Sequence, residues 1–156
     1  MRSSNARSTR GRDDLPSGYQ CSHRPLDPAH PHAEAAREFF STTLTRHGWS
    51  TCPLVENGFL RIFGSRHYPG GPGSPRAART ILAGVLATPG HQFWPDSLTV
   101  MADATFPDHP AAEELTDHYL LALAATRGGR FATFDARIDP SLVRGGPAAY
   151  HLLGAS

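Results

Sequence analysis

This chain predicts an α/β domain with a parallel central β-sheet flanked by helices, on three observations. Short strand-like runs alternate with helical patterns. The helices open on proline or a small polar residue and close on glycine. Residues 116–125 form a helical run with Asp117 in its first turn, and Gly128-Gly129 stops it before the buried-strand pattern Arg130-Phe131-Ala132-Thr133-Phe134, which delivers Asp135 at its carboxyl end. In an open α/β sheet ligands sit beyond the carboxyl ends of the strands, so Asp135 marks the expected site and Asp117 faces it from the neighbouring helix start.

The elements follow in order. Residues 1–26 scatter Leu15, Tyr19, Cys21 and Leu26 among Ser, Arg, Gly and Pro with neither strand nor helix periodicity, and read as a segment without structure before a domain spanning 27–156. Asp27-Pro28-Ala29-His30-Pro31-His32 leads into a helix with Ala33, Ala36, Phe40 and Leu44 on one face, ending at Gly48. Trp49-Ser50-Thr51-Cys52 is a strand, and Pro53 opens a helix to Phe63 that buries Val55, Phe59, Ile62 and Phe63. Glu56 lies in its first turn, where the helix dipole favours a carboxylate. A glycine- and proline-rich loop over 64–73 precedes a helix capped by Ser74-Pro75, running to about residue 87. Gln92-Phe93-Trp94 is a strand ending at Pro95-Asp96, residues 98–110 a helical turn and loop, and residues 149–153 a closing strand. Phe93 and Trp94 read as core residues rather than base-stacking platforms, and His30 and His32 as solvated rather than metal-bound.

Composition narrows the function. All fifteen basic residues are arginine, so every cationic contact is a forked guanidinium. Residues 1–26 carry five Arg against Asp13 and Asp14, whereas the remainder carries ten against twelve acids. That slightly acidic body argues against binding nucleic acid through bulk charge and leaves local patches or metal-bridged contacts. Cys21 and Cys52 lack zinc or disulfide spacing, which points to a reduced, cytoplasmic protein. No apolar run approaches a membrane span, and the arginine- and serine-rich start lacks the apolar stretch of a secretory signal.

Glu56 and Asp117 in first helical turns and Asp135 at a strand end are the candidate chemistry. If they converge, their repulsion calls for a cation, and hard carboxylate oxygens with water positions left open select Mg²⁺ or Mn²⁺. Such a site activates water for attack on phosphorus. The competing reading is that each acid merely favours its helix terminus.

Four segments carry a family resemblance: Cys52-Pro53-Leu54-Val55-Glu56-Asn57-Gly58-Phe59-Leu60-Arg61-Ile62, His91-Gln92-Phe93-Trp94-Pro95-Asp96, Thr116-Asp117-His118-Tyr119-Leu120-Leu121-Ala122-Leu123-Ala124 and Gly128-Gly129-Arg130-Phe131-Ala132-Thr133-Phe134-Asp135. In this order they resemble the PIN-domain ribonucleases of VapC type, toxins of bacterial VapBC toxin-antitoxin pairs, over about residues 27–153. The resemblance implies a three-layer PIN-like domain, an acidic Mg²⁺ site and hydrolysis of single-stranded or looped RNA. It also implies a VapB-like antitoxin as partner and, since such proteins often pair, a homodimer. By position Glu56, Asp117 and Asp135 match the family's second, third and fourth acids and Thr133 its polar companion to the last. Asp96, Thr116 and Arg61 match motif positions of supporting role.

One departure stands beside the match. The family opens with a buried strand carrying an Asp-x-Asn-Val-Leu-like segment whose aspartate is a principal metal ligand. Here the corresponding stretch is Gly18-Tyr19-Gln20-Cys21-Ser22-His23-Arg24-Pro25, without an acid. The first strand is therefore expected to be missing or degenerate. Two functional readings follow from the resemblance, an active metal-dependent ribonuclease and a catalytically inactive remnant that binds antitoxin or RNA.

Overall fold

The computed structural model describes residues 18–21 and 33–154. Its centre is a five-stranded, all-parallel sheet in the order β3-β2-β1-β4-β5, formed by β1 (Tyr19–Cys21), β2 (Trp49–Thr51), β3 (His91–Phe93), β4 (Arg130–Thr133) and β5 (Tyr150–Leu152). Helix α1 (Ala33–Phe39) continues through a π-helical turn, Phe40–Leu44, into α2 (Thr45–His47). Helices α3 (Pro53–Phe63) and α4 (Pro75–Leu86) connect β2 to β3. Helix α5 (Leu115–Thr126) precedes β4, and the short α6 (Gly146–Ala149) precedes β5.

β1 corrects the sequence reading. Residues 19–21 fall in the segment expected to lack structure, yet they form the central strand, in register with Trp49 and Ser50 on one side and with residues 130–132 on the other. The physical reason is a repeated backbone device at the amino edge of the sheet. Gly18, Gly48 and Gly90 each precede a strand with positive φ, a conformation open to glycine at little cost. Their carbonyls stitch the strand starts together: Tyr19 N–H donates to Gly48, Trp49 N–H to Gly90 and Arg130 N–H to Gly18. The expectations for Asp13, Asp14, Asp27, His30 and His32 concern positions outside the described residues.

The other elements lie where the sequence places them, for local reasons. Pro53 starts α3 from extended Cys52, and Ser74 Oγ caps α4 by accepting from Ala77 N–H at 3.2 Å. α5 is apolar nearly all round, and Leu120, Leu121, Ala122, Leu123 and Ala124 are wholly buried, the mark of a helix inside the molecule. Alternation along β4 divides the core into two faces. Phe131 packs with α5, Cys52, Val55 and Trp94, whereas Ala132 packs on the opposite face with Tyr19, Leu44 and Trp49. Each fully buried Leu or Phe here contributes about 1.5–3 kcal/mol.

Two local expectations change. Residues 98–110 form turns without a helix, pinned by Phe106, which is buried in the α5 core. Trp94 is buried as expected, but Phe93, the last residue of the edge strand β3, is 53% exposed.

Candidate active site

The parallel sheet places its carboxyl edge opposite the glycine-laced edge, and the predicted acids follow that edge. β4 ends at Thr133, which is buried, and the chain turns immediately into Asp135. Asp135 is fixed from three directions. Its N–H donates to Thr133 Oγ1 at 3.1 Å, its carbonyl accepts from the Tyr150 hydroxyl at 2.8 Å, and its carboxylate accepts from Arg137. That last contact is a two-pronged ion pair, Arg137 Nε to Oδ1 at 2.9 Å and Nη2 to Oδ2 at 2.6 Å. The acid side chain is 17% exposed and the guanidinium 70%.

Asp117 stands in the first turn of α5, half-buried. Its neighbour His118, which is completely buried, ties this helix start to the loop that follows Asp135. Its Nδ1 lies 3.0 Å from the Glu114 carbonyl and its Nε2 3.0 Å from the Asp139 carbonyl, so one ring bridges the start of α5 to the loop after β4. The result is electrostatic as well as geometric. Arg137 is held charged chiefly by the hydrogen bonds and charge of Asp135, and also by Glu114 and Asp117. Asp135 alone pairs with this guanidinium, and the charges of Glu114 and Asp117 act on it from further away.

Glu56 occupies the first turn of α3, on the other side of β1. Its Oε1 accepts from the Thr51 hydroxyl at 2.7 Å, and Thr51 Oγ1 also lies 2.9 Å from His91 Nε2. Burial lowers the His91 pKa and the Glu56 charge opposes that shift. Asp96, just beyond β3, is exposed and acts on two neighbours, buried Cys52 and half-buried Tyr119. Burial foremost, with the Asp96 charge adding, pushes the Cys52 thiol up to about 11, and the same two causes raise Tyr119. Thr116 is exposed at the start of α5, and Arg61 lies in the last turn of α3, exposed, about 7.5 Å along the axis from Glu56.

Asp135 is paired with Arg137 and Asp117 acts on the same guanidinium through its charge, while Glu56 and Asp96 follow the strand ends on the β2–β3 side. Among the described residues no group of three or more His, Cys, Asp or Glu side chains stands close enough to hold a metal. Between the Glu56 and Asp135 sides lies β1, whose three residues Tyr19–Cys21 include no carboxylate. Sequence reasoning missed Thr51, His91, His118, Arg137 and Tyr150 as partners of the acids. The available signal was spacing for Arg137, two residues after Asp135, and adjacency for His118, whereas His91 and Tyr150 meet their partners only through strand pairing and folding.

No family model matches the chain. Individual relatives do. The chain is 36% identical over 121 residues to Ribonuclease VapC39 of Mycobacterium tuberculosis, covering 76% of this chain and 86% of that protein. The chain belongs to the VapC family of PIN-domain ribonucleases. A second relative, Ribonuclease VapC44 of the same species, is 36% identical over 123 residues, with 77% and 84% covered, and Ribonuclease VapC38 is 37% identical over 111 residues, with 70% and 77% covered. For a VapC ribonuclease the parallel sheet and its flanking helices are the expected PIN-like layers, with a short β1 that lacks an acid among its three residues. No helix among the described residues is long and apolar enough to cross a membrane.

Proposed function

We propose that this VapC-type ribonuclease is a Mg²⁺-dependent endoribonuclease toxin, with Mn²⁺ as an alternative ion, in which Asp117 and Asp135 hold the metal and Glu56 completes the acidic edge. One observation carries the reading: the Arg137 guanidinium sits on Asp135 within the field of Asp117 and Glu114, so this acid group already gathers a positive charge. Mg²⁺ keeps several waters and is commonly held by one or two carboxylates together with substrate phosphates, so a two-acid core fits that ion. Bound there, it would neutralise the phosphate and lower the pKa of a coordinated water.

The chain's own residues supply position. Thr133 and Tyr150 fix the Asp135 backbone, and His118 fixes the approach of α5, so the two carboxylates present acceptors that orient water toward phosphorus. Asp96, Thr116 and Arg61 line the flanks where single-stranded RNA would pass. Hydrolysis adds that water across one P–O bond and expels the ribose oxygen. The implied partner is a VapB-like antitoxin covering the acidic edge in the cytoplasm, with a homodimer as the toxin's own assembly.

A second reading, an inactive remnant that binds RNA or antitoxin, is favoured by the absence of any carboxylate in residues 15–26, which span β1. Cleavage of a mixed single-stranded RNA by the purified chain separates the two. The first reading expects cutting that requires Mg²⁺ or Mn²⁺, stops with chelator and is abolished in Asp117→Asn. A folded chain that binds RNA without cutting it under any of these ions establishes the second.

A further inference from the structure

Glu56 is held by a hydrogen-bond chain that crosses two strands. Thr51 is 5% exposed, so its hydroxyl finds its partners within the protein. A threonine hydroxyl has one proton to give, and an ionised carboxylate only accepts. With that proton donated to Glu56 Oε1 at 2.7 Å, the contact with His91 Nε2 at 2.9 Å requires the ring to be the donor. The chain is therefore directional, from His91 through Thr51 to Glu56. The parallel register of β2 and β3 places it, since Trp49 pairs with His91 and Thr51 lies two residues further along the same face. The His91 ring is itself held against Trp49, with centroids 4.5 Å apart.

We propose that His91 is a positioning residue of the ribonuclease site: its Nε2–H, donated to Thr51, commits the threonine proton to Glu56 Oε1 and so fixes the carboxylate that faces the acidic edge. This rests on Glu56 belonging to the metal-dependent site proposed above. Oε1 thereby accepts from Thr51, which orients the carboxylate and leaves its other acceptor positions for water or a cation. Burial keeps His91 toward the neutral form, which still carries the Nε2 proton the chain needs. Hydrogen-bonded partners behind a metal ligand typically alter affinity by about 10–100-fold when removed, so a donor that acts through Thr51 belongs at the lower end of that range.

The packing role of the ring has to be separated from the donor role, and His91→Phe does so by keeping an aromatic ring against Trp49 without a donor. Mn²⁺ binding to the full chain is measured by titration calorimetry for wild type, His91→Phe, Thr51→Val and the double variant, beside the metal-free melting temperature of each. Positioning predicts that His91→Phe weakens Mn²⁺ binding roughly tenfold with little change in metal-free melting, and that it adds nothing once Thr51 is Val. His91→Gln, which restores an N–H donor, recovers part of the loss. Unchanged Mn²⁺ affinity in His91→Phe, or a loss that adds fully to that of Thr51→Val, overturns the proposal.

A wild type that binds no Mn²⁺ at all refutes the metal-site reading instead. The hydrogen-bond chain is then decided by the imidazole ¹⁵N signals of His91. Coupling through Thr51 requires them to shift in Glu56→Gln, a change one residue removed from the ring's own contacts, and no shift there refutes the chain.

Discussion

Gly129→Ala tests the most consequential feature of the fold, the placement of residues 18–21 as the central strand. A Cβ at position 129 would lie 2.6 Å from the Trp94 ring and 2.8 Å from the Gly18 carbonyl oxygen. Gly129 is absent from the glycines with positive φ, so alanine meets no backbone strain and the perturbation is a pure clash. Neither neighbour yields cheaply. Trp94 is 4% exposed and packed in the α5 core, and the Gly18 carbonyl accepts from Arg130 N–H at 3.0 Å, the bond that starts the β1–β4 ladder. Overpacking of this kind costs about 1–3 kcal/mol, and weakening the ladder bond adds about 1 kcal/mol. At about 4 °C per kcal/mol for a domain of this size, a loss of about 2–4 kcal/mol lowers the melting temperature by roughly 8–16 °C. Gly84→Ala is the internal control. It sits within α4 with nothing within 4 Å of its added Cβ, and should raise the melting temperature through a gain of about 0.4–1 kcal/mol. Thermal unfolding followed by circular dichroism reads both. Gly129→Ala melting within about 2 °C of wild type would mean that the Gly18 carbonyl is not there, and β1 would lose its central position.

The remaining predictions concern charge and burial. Removing the cation with Arg137→Ala leaves Asp135, Asp117 and Glu114 to repel one another, so metal-free melting should fall while the rise produced by saturating Mn²⁺ becomes larger than in wild type; an unchanged Mn²⁺ response would separate Arg137 from the metal site. His91 and His151 both titrate below the ordinary imidazole value, chiefly through burial, with Arg130 adding to the effect at His151. The unfolded chain therefore binds more protons below about pH 6.5, so stability present above that pH is lost as pH falls through the lowered folded values. Melting temperature should drop between pH 7 and pH 5, and His151→Gln should flatten part of the slope; an unaltered slope would refute the assignment to His151. Cys52, with its thiol pushed up to about 11 by burial, should resist iodoacetamide at pH 8 in the folded chain and react readily in denaturant, as read by peptide mass mapping.

Legibility in the sequence tracks the range of the interactions. α3 and α4 were readable because Pro53 and Ser74-Pro75 act within one turn, and Glu56 and Asp117 because first-turn acids answer to their own helix. β1 was not readable from periodicity, since three residues are too few to show a period. Its signal was instead the repetition of a glycine before each of four strands, in Gly18-Tyr19, Gly48-Trp49, Gly90-His91 and Gly129-Arg130. Phe93 misled because an apolar residue in a strand reads alike whether the strand is central or at the edge. The links that hold the acids in place were beyond local reading for another reason. His91 reaches Thr51 across 40 residues and Tyr150 reaches the Asp135 carbonyl across 15, so each depends on a strand register or a chain return that no local pattern encodes.

The altered β1 separates what the fold requires from what the chemistry requires. A central parallel strand must complete a hydrogen-bond ladder on both sides and fill the adjoining layer with side chains. Tyr19 meets the second need, 7% exposed and set edge-on to Phe39 at 5.2 Å and to His151 at 5.5 Å, and the paired registers meet the first. Neither need specifies a carboxylate at the strand's end. With β1 in place, β2 and β4 stay one strand apart, so Glu56 and Asp135 stand on either side of it. Under the proposed metal-dependent reading, the lack of a carboxylate at that strand end would take charge from an intact frame, and its effect is expected in metal affinity and cleavage rate rather than in the melting temperature of the metal-free protein.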